Sequence, residues 1–171
     1  ATRLVVQAKI WPANLRLLDP VEAGRAAGMD GSHTLLIIGF ESADVPQGSL
    51  IHAAVEIARQ AGGKIADEDI LVADGPGKTT GREGAVGNWR SSFIGVNAGL
   101  TNGLGLIGDT FETAITWDRW REFDAVVREK VHRVLTEVVG EHSLSCRFTH
   151  VYTDGPAPYY TFSGVGTPGG E

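Results

Sequence analysis

The chain is poor in the residues that would tie it to an oxidising, membrane-spanning or nucleic-acid setting. It has one cysteine, Cys146, among 171 residues. No internal disulfide can form, and the composition suits a reducing compartment such as the cytoplasm. Positive charge is scarce: 15 Lys and Arg against 21 Asp and Glu leave a net charge of −6, which argues against a nucleic-acid partner. No apolar run approaches the ~20 residues of a membrane-spanning helix. The first residues carry neither the charged nor the long apolar region of a signal peptide. The five histidines (His33, His52, His132, His142 and His150) show no metal-ligand spacing, so no metal site is expected.

What is present is the make-up of a globular domain, 42% hydrophobic and 21% charged, long enough to bury a core. Thr2 to Ile10 is a mixed apolar run ended by Trp11-Pro12. Leu15 to Leu18 reads as a short strand with Arg16 in its middle, and Pro20 to Ala27 as a helical turn or two stopped by Gly28. His33 to Phe40 is the clearest buried strand of the first half. Apolar residues at Leu50, Ala53, Ala54, Ile57, Ala58 and Ala61 predict an amphipathic helix over 49–61, capped by Gly62-Gly63.

Lys64 to Gly87 is charged and glycine-rich, and reads as a long loop with at most a short strand over 70–72. Asn88 to Leu100 reads as a helix or an irregular strand. Gly103 to Thr113 reads as a second central strand. Thr116 is placed as the N-cap of a helix running to Val139, with an apolar stripe of Trp120, Phe123, Val127, Val131, Val134, Leu135 and Val138 ended by Gly140. Ser143 to Tyr152 and Tyr159 to Val165 are the closing strands. These elements predict an α+β fold: a mainly antiparallel sheet with helices on one face, in a duplicated ferredoxin-like arrangement.

Two nucleotide-like motifs fail on context. Gly77-Lys78-Thr79 lacks the upstream glycine of a phosphate loop, since that position is Val72. Gly103-Leu104-Gly105-Leu106-Ile107-Gly108 lacks a helix directly after it, so a glycine-rich strand is the better assignment. Arg16 is different. An arginine inside an apolar strand is either salt-bridged at the strand edge or an anion clamp facing a cleft. In the stretch from Thr149 to Phe162, a proline-rich corner separates two strands and places His150, Asp154, Tyr159 and Tyr160 near one another. The tyrosine pair is either packing or the mount of a general acid or base.

Four separated segments resemble one family. They are Pro12-Ala13-Asn14-Leu15-Arg16-Leu17-Leu18-Asp19, Gly39-Phe40-Glu41-Ser42, Asp109-Thr110-Phe111-Glu112-Thr113 with Trp117-Asp118-Arg119, and Asp154-Gly155-Pro156-Ala157-Pro158-Tyr159. In that order and spacing they resemble the C-terminal substrate (cap) region of FAD-linked oxidases of the vanillyl-alcohol oxidase type. Within that type they are most similar to alkyldihydroxyacetonephosphate synthase-like proteins. The family's basic segment before the Phe-Glu-Thr strand reads Asn97-Ala98-Gly99-Leu100 here, so an arginine that could bind substrate is missing.

The resemblance implies that residues 1–163 form the cap of a flavoprotein oxidoreductase or alkylglycerone-phosphate synthase-like enzyme, with 164–171 as a flexible tail. FAD would be bound mainly by an N-terminal FAD-binding domain absent from this chain, and the cap alone would be inactive. Carried over by position, Tyr159 is the catalytic tyrosine, Arg16 the active-site arginine, and Thr110 a pocket hydroxyl. His150, on the strand before the corner, joins them as a binding candidate for the small-molecule substrate or cofactor. The start at Ala1 fits either initiator-methionine removal or a piece of a longer protein. The alternative is a stand-alone, non-catalytic α+β module that binds a small molecule or oligomerises, for instance as a homodimer.

Overall fold

Asp19-Pro20 at one end and Gly28 at the other cut a short helix out of the sequence, α2, Pro20–Ala27. The Asp19 carboxylate caps it by accepting from the Glu22 backbone N–H at 2.8 Å, and proline at the first helical position forfeits only an N–H that had no partner. Gly28 closes it in the left-handed region, φ 70°. The computed structural model describes residues 1–73, 75, 78–92 and 105–166. Among them lie four further helices: α1 (Thr2–Gln7), α3 (Gly48–Gln60), α4 (Gly84–Ser92) and α5 (Trp120–Val138). The strands are β1 (Asn14–Leu18), β2 (Leu35–Gly39), β3 (Leu106–Glu112), β4 (His142–Val151) and β5 (Pro156–Val165).

The strands form one sheet in the order β2-β1-β4-β5-β3, and every pairing is antiparallel. The α+β class with an antiparallel sheet is therefore as expected. The helices are not confined to one face, because β1 and β2 are apolar on both sides and each side needs cover. Leu15, Leu36 and Ile38 pack with α1 and with Ile57 of α3. Leu18, Leu35 and Ile37 pack on the opposite side with α2 and Trp89 of α4. Helix α5 covers the same side as α1 and α3, laying Trp120, Phe123, Val127 and Val131 over Leu144, Cys146, Tyr160 and Phe162. The other side of β5 and β3 has no such apolar cover among these clusters.

Other expectations are corrected. The strand expected over 103–113 corresponds to β3, and it lies at the sheet edge rather than centrally, since β5 fills the interior place between β4 and β3. Thr116 does not cap α5. Residues 117–119 form a turn first, held by Trp117 N–H to Asp154 O at 3.0 Å and Arg119 N–H to Thr116 O at 3.1 Å. Val134 and Val138 drop out of the buried stripe and stand exposed. No strand forms over 70–72: Leu71 and Val72 are exposed, and only a single 3₁₀ turn, Asp67–Asp69, precedes them. Strand β5 ends at Val165 as expected but begins earlier, at Pro156. The Asn97–Leu100 segment, Gly77, Gly103, Leu104 and residues 167–171 lie outside the described residues.

Two prolines sit within the interior strand β5, where proline is normally excluded. The carbonyls of Pro156 and Pro158 accept from Ile115 N–H at 3.3 Å and Thr113 N–H at 3.2 Å. In an antiparallel ladder a residue's N–H and C=O point to the same side. The missing N–H groups therefore face the segment after β3 has ended, and the β4 ladder is untouched. The corner itself is tight. Tyr152 N–H reaches Gly155 O at 2.9 Å, and a Cβ on Gly155 would lie 1.9 Å from Ile115 O.

Candidate functional site

Alternation along β5 sends the two tyrosines to opposite faces. Tyr160 is wholly buried under α5. Its hydroxyl donates to Asp124 Oδ1 at 2.9 Å, and its ring stacks on Phe111 at 4.8 Å. Burial pushes its phenol up, with Cys146 and Asp124 adding to the shift. Tyr160 is a structural residue.

Tyr159 faces the other way, onto the side of β3–β5 without apolar cover. The register puts Glu112 of β3 opposite Tyr159, and Tyr159 opposite Arg147 of β4, so the three form one row across the sheet. The Tyr159 hydroxyl donates diagonally to Thr110 Oγ1 at 2.8 Å. The Arg147 guanidinium lies 4.3 Å from the centre of the Tyr159 ring, within cation–π range. Arg147 also donates through Nη1 to Glu22 Oε1 at 2.7 Å.

A bulge in β4 enlarges this face. The register skips between Phe148 and His150, leaving Thr149 as the extra residue, so that Thr149 and His150 both turn toward Glu112. The Thr149 hydroxyl donates to the Glu112 carboxylate, and His150 Nδ1 stands 3.8 Å from the same oxygen. Arg16 reaches this region from β1 by donating through Nη1 to the backbone carbonyl of Thr149. Among the described residues no carboxylate lies within ion-pair distance of Arg16, which removes its reading as a strand-edge salt bridge. Burial, followed by the Arg147 charge, pushes its guanidinium down, and Glu112 opposes them. An arginine stays protonated under these conditions. The result is a partly desolvated cation with no carboxylate in ion-pair contact among the described residues.

Arg16, Thr110, Tyr159 and His150 thus share one sheet face. Tyr159 and Thr110 touch directly, Arg16 is joined through the Thr149 carbonyl, and His150 is exposed at the rim. Arg147, Glu112 and Thr149 belong to the same cluster. Their signal lay in the alternation of β4, where Ser145, Arg147 and Thr149 interleave with Leu144, Cys146 and Phe148. Glu22 gave no such signal, although it anchors Arg147 from α2.

Elsewhere, His132 and His142 bring ring nitrogens to 2.7 Å. No group of three or more metal-ligating side chains forms among the described residues. Gly108 lies inside β3 opposite Ser163 and not at a helix N-terminus, as the strand assignment requires. No helix among the described residues is long and apolar enough to cross a membrane.

The cluster brings the Arg16 and Arg147 guanidiniums, the Tyr159 phenol, the Thr110 and Thr149 hydroxyls and the Glu112 carboxylate onto one open sheet face. A sequence comparison matches residues 1–166 to the family described as FAD linked oxidases, C-terminal domain. No curated protein matches the chain significantly by sequence. Among solved structures the chain is similar to an alkyldihydroxyacetonephosphate synthase seen in two crystal forms. The TM-scores are 0.57 and 0.60, at 14% and 17% identity, with 97% of this chain covered in each. The chain spans about one third of those proteins, 33% and 32% of their lengths.

Proposed function

The chain belongs to the family of FAD linked oxidase C-terminal domains, and from that premise we propose that it is the substrate-side cap of an FAD-dependent oxidoreductase or alkylglycerone-phosphate synthase-like flavoenzyme. The family uses FAD. In the whole protein a separate FAD-binding region would hold most of the dinucleotide, and the open face of β5–β3 would close over the flavin and a small-molecule substrate. Bound flavin would supply redox or covalent-adduct chemistry. By itself the cap would bind FAD weakly and turn nothing over.

Each side chain then has a task that its surroundings allow. Arg16, charged and with no carboxylate within ion-pair distance among the described residues, would hold an anionic group of the substrate or flavin. Tyr159 would move a proton at its phenol oxygen. Thr110, which accepts from that phenol at 2.8 Å, would fix where the proton sits. His150 at the rim would contact substrate. The observation that carries this proposal is the convergence of Arg16 and Tyr159 on one face without apolar cover. Exposed apolar residues favour a partner domain over a self-contained module. Leu106 and Val165, paired in the register, are both exposed, as are Val134 and Val138 one helical turn apart.

The test is Tyr159→Phe in the intact flavoprotein. Turnover should fall by about 10²–10⁴-fold with flavin content retained. Loss of flavin would make Tyr159 structural, and unchanged turnover would remove it from the chemistry. A reading frame around this segment that encodes no FAD-binding region would remove the proposed partner domain.

A further inference from the structure

The Arg147 guanidinium meets both the site tyrosine and a buried carboxylate. It lies 4.3 Å from the centre of the Tyr159 ring. It also donates to Glu22 Oε1 at 2.7 Å, with its side chain 12% exposed and that of Glu22 1% exposed. Glu22 is held in turn by two more donors, Arg25 Nη2 at 2.6 Å and Ser145 Oγ at 2.7 Å. A buried carboxylate is costly unless every lone pair is used, and here three donors meet it. Its neighbours Ala23 and Ala27 serve the apolar cluster, and the first turn of α2, where Glu22 stands, favours a carboxylate. The ion pair does have one geometric consequence. It fixes where the Arg147 charge stands relative to Tyr159.

We propose that Glu22 and Arg147 are positioning residues for Tyr159, with Glu22 clamping the Arg147 guanidinium against the phenol ring so that negative charge developing on the phenol during proton transfer meets a fixed cation. This inference rests on the role proposed for Tyr159. A cation held in place before the reaction needs no reorganisation during it, which is what makes such an arrangement effective. Arg147 is unsuited to a second task as a substrate clamp, since its charge already faces a carboxylate. That division leaves Arg16 as the anion-binding guanidinium and assigns Arg147 to the phenol. The residues that set the reactivity of Tyr159 would then include one, Glu22, that touches neither substrate nor flavin.

The test uses the full-length protein labelled with ¹⁵N-arginine. The Arg147 Nε–Hε signal is identified by its loss in Arg147→Lys. It should be displaced by the Tyr159 ring current and return toward the other arginines in both Tyr159→Leu and Glu22→Gln. In the flavin-loaded protein, Glu22→Gln and Arg147→Met should each lower kcat by about tenfold while KM stays within about twofold. Each should also shift the alkaline limb of the kcat–pH profile, which a general loss of stability would not do. Glu22→Asp, which keeps the charge, should recover part of the rate. Arg147→Met removes the guanidinium directly and serves where Glu22→Gln fails to fold. If the Arg147 signal stays displaced in Glu22→Gln, or if kcat holds in Arg147→Met while Tyr159→Phe abolishes turnover, the positioning role is wrong. If Tyr159→Phe itself leaves kcat unchanged, the role of Tyr159 fails and takes this inference with it.

Discussion

Asp19 is the residue whose loss should be felt most widely in the fold, because one carboxylate joins three elements. Its Oδ1 accepts from Glu22 N–H and caps α2, and its Oδ2 accepts from Cys146 N–H of β4 at 2.7 Å and from Arg128 Nη2 of α5 at 2.9 Å. Asp19→Ala removes the cap, worth about 1 kcal/mol. It also strands the Cys146 N–H inside the sheet, at about 1–3 kcal/mol. The ion pair adds less, at most about 1 kcal/mol, because Arg128 keeps both oxygens of Asp124 at 3.0 Å. The expected loss is therefore about 3–4 kcal/mol, or a fall in Tm of about 10 °C for a domain of this size. Asp19→Asn should lose about 2–3 kcal/mol, since either orientation of the amide turns a donor toward one of the two backbone N–H groups. Urea unfolding followed by circular dichroism gives both values. An Asp19→Ala variant within 1 kcal/mol of wild type, or an Asp19→Asn variant equal to it, would refute the claim that this carboxylate ties the three elements together.

Two further predictions concern the same framework. Burial pushes the Glu22 carboxyl up, but hydrogen bonds from Arg25, Ser145 and Arg147 outweigh it and hold the group below its ordinary value. The stability it contributes is therefore complete above the unfolded value of about 4.3 and is lost as pH falls through the lower folded value. Acid titration of Tm should show a steeper loss below about pH 4.3 in wild type than in Glu22→Gln, and parallel curves would contradict it. At the corner, Gly155→Ala should destabilise by about 3 kcal/mol or more, because the new Cβ meets backbone at Ile115 rather than a movable side chain. A variant with wild-type Tm would show that the corner yields.

Local chemistry made much of the fold legible. Asp19-Pro20 and Gly28 bracketed α2, and Gly62-Gly63 ended α3, where Gly63 N–H closes on Ala58 O at 2.8 Å. Alternation marked β4 and β5 and placed Tyr159 and Tyr160 on opposite faces. Sheet order was not legible, because the edge position of β3 depends on pairings between distant segments that leave no mark on a glycine-rich apolar run. For the same reason the placement of α2 and α4 on a second face went unseen: Leu18 and Ile37 look like any strand residues until those helices are in place. At the site, Arg16, Thr110 and Tyr159 were singled out by the family resemblance, whereas the face they share depends on register and sheet order. Glu22 and Arg147 were invisible, since their ion pair joins residues 125 apart in the chain and an acidic residue in the first turn of a helix is ordinarily a dipole partner.

The central claim is that the β5–β3 face carrying Arg16, Thr110 and Tyr159 is the face turned toward flavin and substrate. A crystal structure of the intact flavoprotein with FAD and a bound substrate analogue measures this directly. The Tyr159 hydroxyl should lie within hydrogen-bond reach, about 3.2 Å, of a reacting atom of flavin or ligand, and Arg16 should contact an anionic group of one of them. If the flavin instead lies against α5 or the α1–α3 side, with Tyr159 and Arg16 open to solvent, the account is wrong.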